Sequence, residues 1–599
     1  MNGVHGRILT IDLATGDNSI LELPDLVYER LIGGVGLATY LLIKFCPVSV
    51  DPFAPENPLV FATSPFIGTG ITTASKLALA TKSPLTGMIG DSLSSSYLAI
   101  ALKRTGFDAV VLTGAADEWS YLVIDDDRIE IHSAGSLLGL DPEATADALR
   151  TERGSAYRVA AIGVAGERLV RFASVCNDGR LAGRTGGGTV MGSKRLKAIA
   201  VRGSGLPTVA DPRGLAVAAR KLAERSLGPE TAKYREIGTA ANVAFFNRMG
   251  MLPTRNFQTG RFGEAEAIAG ETLLLDHRVD RHACAACTVG CEHHYRTQDG
   301  GPETETRLEY ETLFALGSLC GVSDPNVVLR AAARCDQLGI DAMSTGATIA
   351  WAMECRERSI NIGLPDDDLP AFGDGASLIT AIDAIGERTG LGDLLAEGSR
   401  IAAERTCQGS DAWAMHVKGL EMPGYDPRKL PTLALGLAVS TRGACHNRSS
   451  AYEADLSDKL SPTAEAQARA EAAAAAEDQA ALLDSLTICK FLRHCFDDLP
   501  TEAADLYALV TGVEESGGDM LRAGERINNL KKLFNIRQGW ERADDTLPAR
   551  AFEHGSDRST LTRSWLDEQI DAYYAVRGWA PDGRISEQHL AEIGLLELV

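Results

Sequence analysis

At 599 residues, with 45% hydrophobic and 23% charged positions, the chain has the make-up of an ordinary globular protein and length enough for roughly three to five domains, or fewer large ones. A formal net charge of −22 and a pI near 5.0 argue against nucleic acid or an anionic membrane surface as partner, because both are gripped by basic patches. No run approaches the roughly 18 consecutive apolar residues of a membrane helix, and twelve cysteines are too sparse for a disulfide scaffold. The opening MNGVHGRILTIDL goes straight into strand-like sequence without a charged-then-apolar leader, so a cytoplasmic location is expected.

The first two hundred residues read as β-rich. Residues 7–13 and 20–23 flank Thr15-Gly16-Asp17-Asn18 as a hairpin. Further strands are expected at 59–62, 109–113, 121–124, 128–132, 158–162 and 198–202, with helices near 26–31 and 142–151. Gly33-Gly34-Val35-Gly36 invites a dinucleotide reading, but it follows a helical pattern and no clear ribose-binding acid comes after it. Two other stretches, SPLTG leading into GDSLSSS (83–96) and GRLAGRTGGG (179–188), combine glycines with two arginines. Exposed backbone N–H groups and paired guanidiniums suit a phosphate; ordinary turns are the alternative.

Beyond Gly205-Leu206-Pro207 the pattern turns helical, with helices expected at 215–227, 312–317, 325–338, 345–358 and across 463–483. A second junction is expected near 411–419. The resulting division is a β-rich base of residues 1–208, a helical domain of 209–415 and a second helical domain of 416–599, an α+β arrangement. The AEAAAAAED run is a strong helix former and carries no chemistry.

The densest chemistry lies in RHACAACTVGCEHHY (281–295), where Cys284, Cys287 and Cys291 stand as C-x2-C-x3-C. Three thiolates are one short of a closed [4Fe–4S] or zinc site, so a fourth ligand is needed from elsewhere. A zinc knuckle completed by His282, His293 or His294 is one solution. A remote cysteine, Cys489 or Cys495, is another. Asp336-Gln337-Leu338-Gly339-Ile340-Asp341 and Asp484-Ser485-Leu486-Thr487-Ile488-Cys489 share the pattern D-x-x-(G/T)-I-(D/C) at the ends of two predicted helices. Their aspartates either cap backbone N–H groups or accept hydrogen bonds from two similar heterocycles. Glu311, in EYET, and His446, in RGACHNR, suit proton-coupled chemistry, though either alone is more often structural.

Eight segments in order, SPLTGMIGDS, GRLAGRTGGGTVMGSKRLKAI, CAACTVGC, EYET, DQLGID, KGLEMPGYDPR, RGACHNR and DSLTIC, together resemble the tungsten-containing aldehyde:ferredoxin oxidoreductase family over essentially the whole chain. The resemblance implies a β base beneath two helical domains, with tungsten (or molybdenum) held by two pterins, a [4Fe–4S] cluster beside it, and Mg2+ joining the pterin phosphates. By position, Cys284, Cys287, Cys291 and Cys489 would hold the cluster. Asp336, Ile340 and Asp341 would contact one pterin, and Asp484, Ile488 and Lys490 the other. Lys76, Ser95, Arg180, Gly183, Arg184, Arg442, Gly443 and Arg448 would line the pterin and phosphate pocket, and the carbonyls of Leu93 and Leu181 would face the magnesium. Glu311 and His446 fall at the acid–base positions.

The resemblance implies oxidation of an aldehyde to a carboxylic acid, with a ferredoxin or ferredoxin-like subunit as electron acceptor; it leaves a homo- or hetero-oligomer open and does not carry over the family's usual dimer. A relative of class II benzoyl-CoA reductase is the alternative within this fold, and a non-enzymatic zinc-knuckle module the alternative outside it. Thr487 stands where the family has glycine, so an altered turn is expected there, and Leu93 stands in place of asparagine. Arg330 and residues 379–382 occupy the places of an interfacial iron site, so none is expected.

Overall fold

In the computed structural model, which describes residues 1–363, 365, 369–457, 460–461, 463–553 and 561–599, the N-terminal third forms two six-stranded mixed sheets. The strands are β1 (Arg7–Asp12), β2 (Asn18–Glu22), β3 (Leu59–Ala62), β4 (Lys76–Lys82), β5 (Ile89–Ser95), β6 (Ala109–Thr113), β7 (Ser120–Asp125), β8 (Arg128–Ser133), β9 (Arg158–Ala161), β10 (Val175–Asn177), β11 (Arg180–Ala182) and β12 (Leu196–Arg202). One sheet runs β2-β1-β6-β3-β4-β5, the other β11-β10-β9-β12-β7-β8. Alternate side chains explain the stacking. Leu9, Phe61, Leu79, Val110 and Leu112 of the first sheet meet Leu122, Ile124, Ile199 and Val201 of the second in one core. Ile8, Val60, Ala80 and Val111 face the opposite way, onto the helix Gly34–Phe45 and Ile527, Leu530 and Phe534 of the helix Gly517–Arg537. Buried on both faces, these strands read as continuous apolar runs.

The rest is mainly helical around a core that includes Leu313, Leu329, Trp351, Leu435 and Tyr573, with one small antiparallel sheet of β13 (Arg278–His282), β14 (Glu292–Arg296) and β15 (Glu305–Arg307) beside the cysteine loop. Among the described residues no single helix is long and apolar enough to cross a membrane.

Two helix ends dock on the base in parallel fashion. The helix Pro325–Leu338 stops at Gly339, in the left-handed region at φ 72°. Ser174 N–H then donates to Gly339 O at 2.8 Å, and Asp341 N–H to Phe172 O at 3.1 Å. The helix Ala466–Leu486 stops at Thr487, left-handed at φ 61°. Here Ser64 Oγ donates to Leu486 O at 2.9 Å and lies 2.8 Å from Thr487 Oγ1. Each approach depends on a glycine: a Cβ on Gly163 would sit 2.2 Å from Leu338 O, and one on Gly34 2.6 Å from Asp484 O. The Gly33–Gly36 cluster therefore serves helix packing, and a nucleotide reading is unnecessary.

Three expectations need correction. The turn at Thr487 is not altered: it keeps the left-handed geometry of Gly339, with its hydroxyl anchored by Ser64. The GDSLSSS stretch is not a turn but mostly edge strand β5, held by pairing with β4 in spite of a Ser-rich sequence of poor strand propensity. Residues 187–193 form a short helix whose glycines let the chain close on its neighbours; a Cβ at Gly188 would lie 2.3 Å from Ser174 O.

A threonine held left-handed carries local strain that its hydroxyl contacts offset. Thr487→Val is expected to destabilise the fold by about 1–3 kcal/mol, because it keeps the left-handed strain while losing the hydroxyl's contacts with Ser64 Oγ and Leu486 O. Thr487→Gly, which relieves the strain as it loses the hydroxyl, should change stability by less than about 1 kcal/mol. Thermal unfolding followed by circular dichroism separates the two; equal midpoints for Val and wild type would show that the hydroxyl does not hold the turn.

Candidate active site

The docked helix ends, the edge strands β5 and β11 and the cysteine loop enclose a cavity of about 650 Å3. β5 and β11 are the free edges of their sheets and lie against each other, and every second carbonyl of an edge strand is left without a ladder partner. Leu93 and Leu181, the residues read as magnesium-facing, sit on these two edges and line the cavity, as do Lys76, Ser95, Arg180, Gly183 and Arg184.

The four cysteines come together through Thr73. Its backbone N–H donates to Ala286 O in the cysteine loop at 2.7 Å, and its Oγ1 accepts from Cys489 N–H at 3.1 Å. One base residue thus ties the Cys284 loop to a cysteine about two hundred positions away in sequence. Cys284, Cys291 and Cys489 line the cavity, and Cys287, just behind, accepts from Val289 N–H at 3.3 Å. Burial pushes the Cys291 thiol well up, and Cys489 and Cys284 push it further. Cys495 has different charged neighbours, Glu230, Arg225 and Arg235. The three histidines of the zinc alternative are turned elsewhere: His293 Nε2 lies 3.4 Å from Tyr234 O, His294 Nε2 2.9 Å from Glu292 and His282 3.6 Å from Asp280. These contacts give the three imidazoles partners other than the cysteine sulfurs.

The paired aspartate motifs divide their labour. Asp336 faces the cavity, its carboxyl raised by burial and only partly restrained by Arg307, 3.7 Å away. Asp341 caps the helix Ala342–Glu357, accepting from Met343 and Ser344 N–H, and lies 3.5 Å from Arg184 Nε. Asp484 pairs with Arg448 NH1 at 2.9 Å, and Lys490 Nζ reaches Asn447 Oδ1 at 2.6 Å. Ile340 and Ile488 correct the carry-over: both side chains are buried away from the cavity, in cores that dock the two turns. Gly443 is also off the wall, at φ 98°, where a Cβ would lie 2.6 Å from Val417 O.

The cavity is strongly cationic. Arg184 is clamped by the carbonyls of Ala444 at 2.8 Å and Glu421 at 2.6 Å. Arg448 donates to buried Asp91 at 2.6 Å. Burial would raise the Asp91 carboxyl, but Arg448, Lys531 and Arg442 hold it far below the usual range. Arg180 departs from the expectation of a free phosphate ligand, because it is ion-paired to Glu292. Arg442 stands out: it is 5% exposed, forms no ion pair among the described residues, and its Nε has no hydrogen-bond partner. A buried unpaired guanidinium is costly, and an anion such as phosphate in the cavity would satisfy it.

Glu311, at the start of the helix Tyr310–Leu316, accepts from Gly424 N–H at 2.9 Å through Oε2. Its Oε1 lies 3.2 Å from His446 Nδ1, yet the pair is misaligned and both atoms are without a hydrogen bond. Burial raises the Glu311 carboxyl to about 7, against the Gly424 N–H and the Arg184 charge. Burial and then the charges of Lys490, Arg184, Arg442 and Arg448 push His446 well down, so its imidazole is neutral. One proton placed between the two would satisfy both atoms.

Reading the sequence missed several wall residues. Arg307 and Cys445 line the cavity, as do Phe246, Tyr310, Tyr425 and Tyr452. Tyr310 and Tyr425 lie inside segments that carried the resemblance (EYET and KGLEMPGYDPR), which was the available signal; Arg307 and Tyr452 had none.

Comparison with known proteins agrees with this geometry. The model of the aldehyde ferredoxin oxidoreductase N-terminal domain matches residues 8–203, and that of domains 2 and 3 matches residues 217–595. The chain is 38% identical to the tungsten-containing aldehyde ferredoxin oxidoreductase of Pyrococcus furiosus and 37% identical to that of Thermococcus kodakarensis, each over 100% of both chains. In structure it is similar to a chain of the active site complex BamBC of benzoyl coenzyme A reductase in complex with 1,5 dienoyl-CoA, with a TM-score of 0.86 over 100% of this chain and 98% of that one. At 23% identity, that likeness speaks to the fold alone. With both family models matched along nearly its whole length, the chain belongs to the aldehyde ferredoxin oxidoreductase family, a family of oxidoreductases.

Proposed function

We propose that the chain oxidises aldehydes to carboxylic acids, RCHO + H2O → RCOOH + 2 H+ + 2 e−, and passes the electrons to a ferredoxin or ferredoxin-like subunit. The observation that carries this reading is the meeting of Cys489 with the Cys284 loop, through Thr73, at the wall of the cavity that holds Glu311 and His446. Full-length identity of 38% to a relative named for tungsten and aldehyde, against 23% to the benzoyl coenzyme A reductase chain, favours the aldehyde over the benzoyl-CoA reading.

The residues present fit the cofactors. Arg442, Arg184, Arg448 and Lys76 would neutralise the pterin phosphates, with Mg2+ taken by the carbonyls of Leu93 and Leu181. Asp336 and Asp484 would accept from the two pterins, as would the backbone around Ile340 and Ile488. Cys284, Cys287, Cys291 and Cys489 would hold a [4Fe–4S] cluster. Bound here, a tungsten (or molybdenum) bis-pterin would supply the two-electron chemistry and the cluster a one-electron relay.

The protein's own part is proton handling. Ionised Glu311 accepts a proton from the attacking water, and then has a hydrogen to offer His446 Nδ1, 3.2 Å away. His446 keeps its own hydrogen on Nε2, where it can donate to the aldehyde oxygen as charge builds there. Burial of the pair keeps bulk water from competing.

Two measurements test these assignments. Cys489→Ala should lower the iron content and the cluster absorbance of purified protein, whereas Cys495→Ala should leave both intact; the reverse pattern would move the fourth thiolate to Cys495. Because the base form of Glu311 is the active one and its carboxyl sits near 7, kcat/KM for an aldehyde should climb with pH up to about that value and then level off. Glu311→Gln should lower turnover by ~10²–10⁴ with unchanged metal content and remove that limb; a near-normal rate would take the role away from Glu311.

A further inference from the structure

The cavity's approach to His446 is walled by aromatic rings. Tyr425 lies 4.8 Å from the imidazole, centroid to centroid, and Tyr452 stacks on Tyr425 at 5.3 Å and 22°. Phe246 meets Tyr425 at 5.0 Å nearly edge-on and Tyr310 at 5.4 Å. Phe245 continues the series, edge to face with Phe246 at 5.1 Å. Phe245 and Leu456 both line the cavity and are 41% exposed, so they mark its apolar mouth. From solvent to the acid–base pair, aromatic surface is continuous.

Several polar groups along this approach are already engaged. Tyr310 gives its hydroxyl to Gly424 O, Glu453 is paired with Arg493 at 2.6 Å, and Lys233 Nζ is on Asn242 Oδ1 at 2.8 Å. A hydroxylated or phosphorylated aldehyde would trade its water for apolar faces, whereas a flat ring can stack on the aromatic residues that line the cavity. A short aliphatic aldehyde buries too little area to profit. Tyr452 is the half-buried member of the wall, 6.1 Å from His446 and with Lys490 Nζ 5.1 Å over its ring. It can therefore change without opening the core.

We propose that this vestibule selects uncharged planar aryl aldehydes, with Tyr452 as a specificity-determining residue; the proposal rests on the aldehyde-oxidising reading above. Holoenzyme assayed with a viologen dye should show kcat/KM for benzaldehyde at least about tenfold above that for acetaldehyde. Tyr452→Ala should shrink that ratio several-fold, mainly through a higher KM for benzaldehyde, with tungsten and iron content unchanged, and Tyr452→Phe should restore it. Calorimetric titration should show benzamide, an uncharged aryl probe, binding to wild type and binding more weakly to Tyr452→Ala. A preference for acetaldehyde, or a Tyr452→Ala loss equal for both aldehydes, would overturn the proposal and leave aldehyde oxidation standing. No turnover of either aldehyde would overturn the function itself, and the absence of benzamide binding would overturn the vestibule's selectivity whatever the turnover.

Discussion

The helices Pro325–Leu338 and Ala466–Leu486 reach the β base with a left-handed residue at the tip, Gly339 in one and Thr487 in the other, and the site depends on how closely those tips approach. Each is admitted by a glycine on the base, Gly163 or Gly34, where a side chain would collide with a helix carbonyl. Close approach puts helix-end carbonyls within reach of base donors, so the last turn of each helix is satisfied in trans. It also sets Asp336 and Asp484 on either side of one cavity and carries Cys489 to Thr73. The same packing geometry used twice would suit the two similar ligands of the bis-pterin centre proposed above.

A chain of net charge −22 concentrates buried arginines around this cavity. Arg184 is held by carbonyl oxygens, with the Asp341 carboxylate 3.5 Å from its Nε, and Arg448 by carboxylates; Arg442 has neither. Guanidiniums fixed by neutral acceptors keep their charge available to a ligand. Their field also acts on the acid–base pair: the same cations help to hold His446 neutral and offset part of the burial that raises Glu311. Cofactor binding and proton transfer therefore draw on one electrostatic environment.

What the sequence reveals follows from which forces are local. The strands at 59–62 and 109–113 are legible because both faces are buried and the residues are β-branched or otherwise apolar, so pattern and propensity agree. Strand β5 is not, since Ser92, Ser94 and Ser95 have no strand preference and pair only because β4 lies beside them. In the site, the cysteine loop announces itself by spacing, but the residues alone leave Cys489 and Cys495 open. Thr73, which distinguishes them, is an unremarkable threonine whose role exists only after folding. Tyr452 and Arg307 are equally silent, because a wall assembled from distant segments leaves no periodic trace. Ile340 and Ile488 illustrate the converse: the motif is legible, yet the side chain at this position serves the core behind it.

Buried, unsatisfied polar atoms bear on assembly as well as chemistry. Arg442 Nε, Glu311 Oε1 and His446 Nδ1 are each left without a partner, and such groups cost about 1–3 kcal/mol apiece against a typical net stability of about 5–15 kcal/mol. A ligand that satisfies them binds the folded chain and has no counterpart site in the unfolded one, so its affinity is added to stability. Because the cavity lies on the seam between the base and both helical segments, that gain falls on the contacts between them more than on either sheet. The glycine-admitted helix tips already hold the seam by backbone hydrogen bonds. The groups that burial leaves without protein partners are therefore the ones a bound cofactor would satisfy.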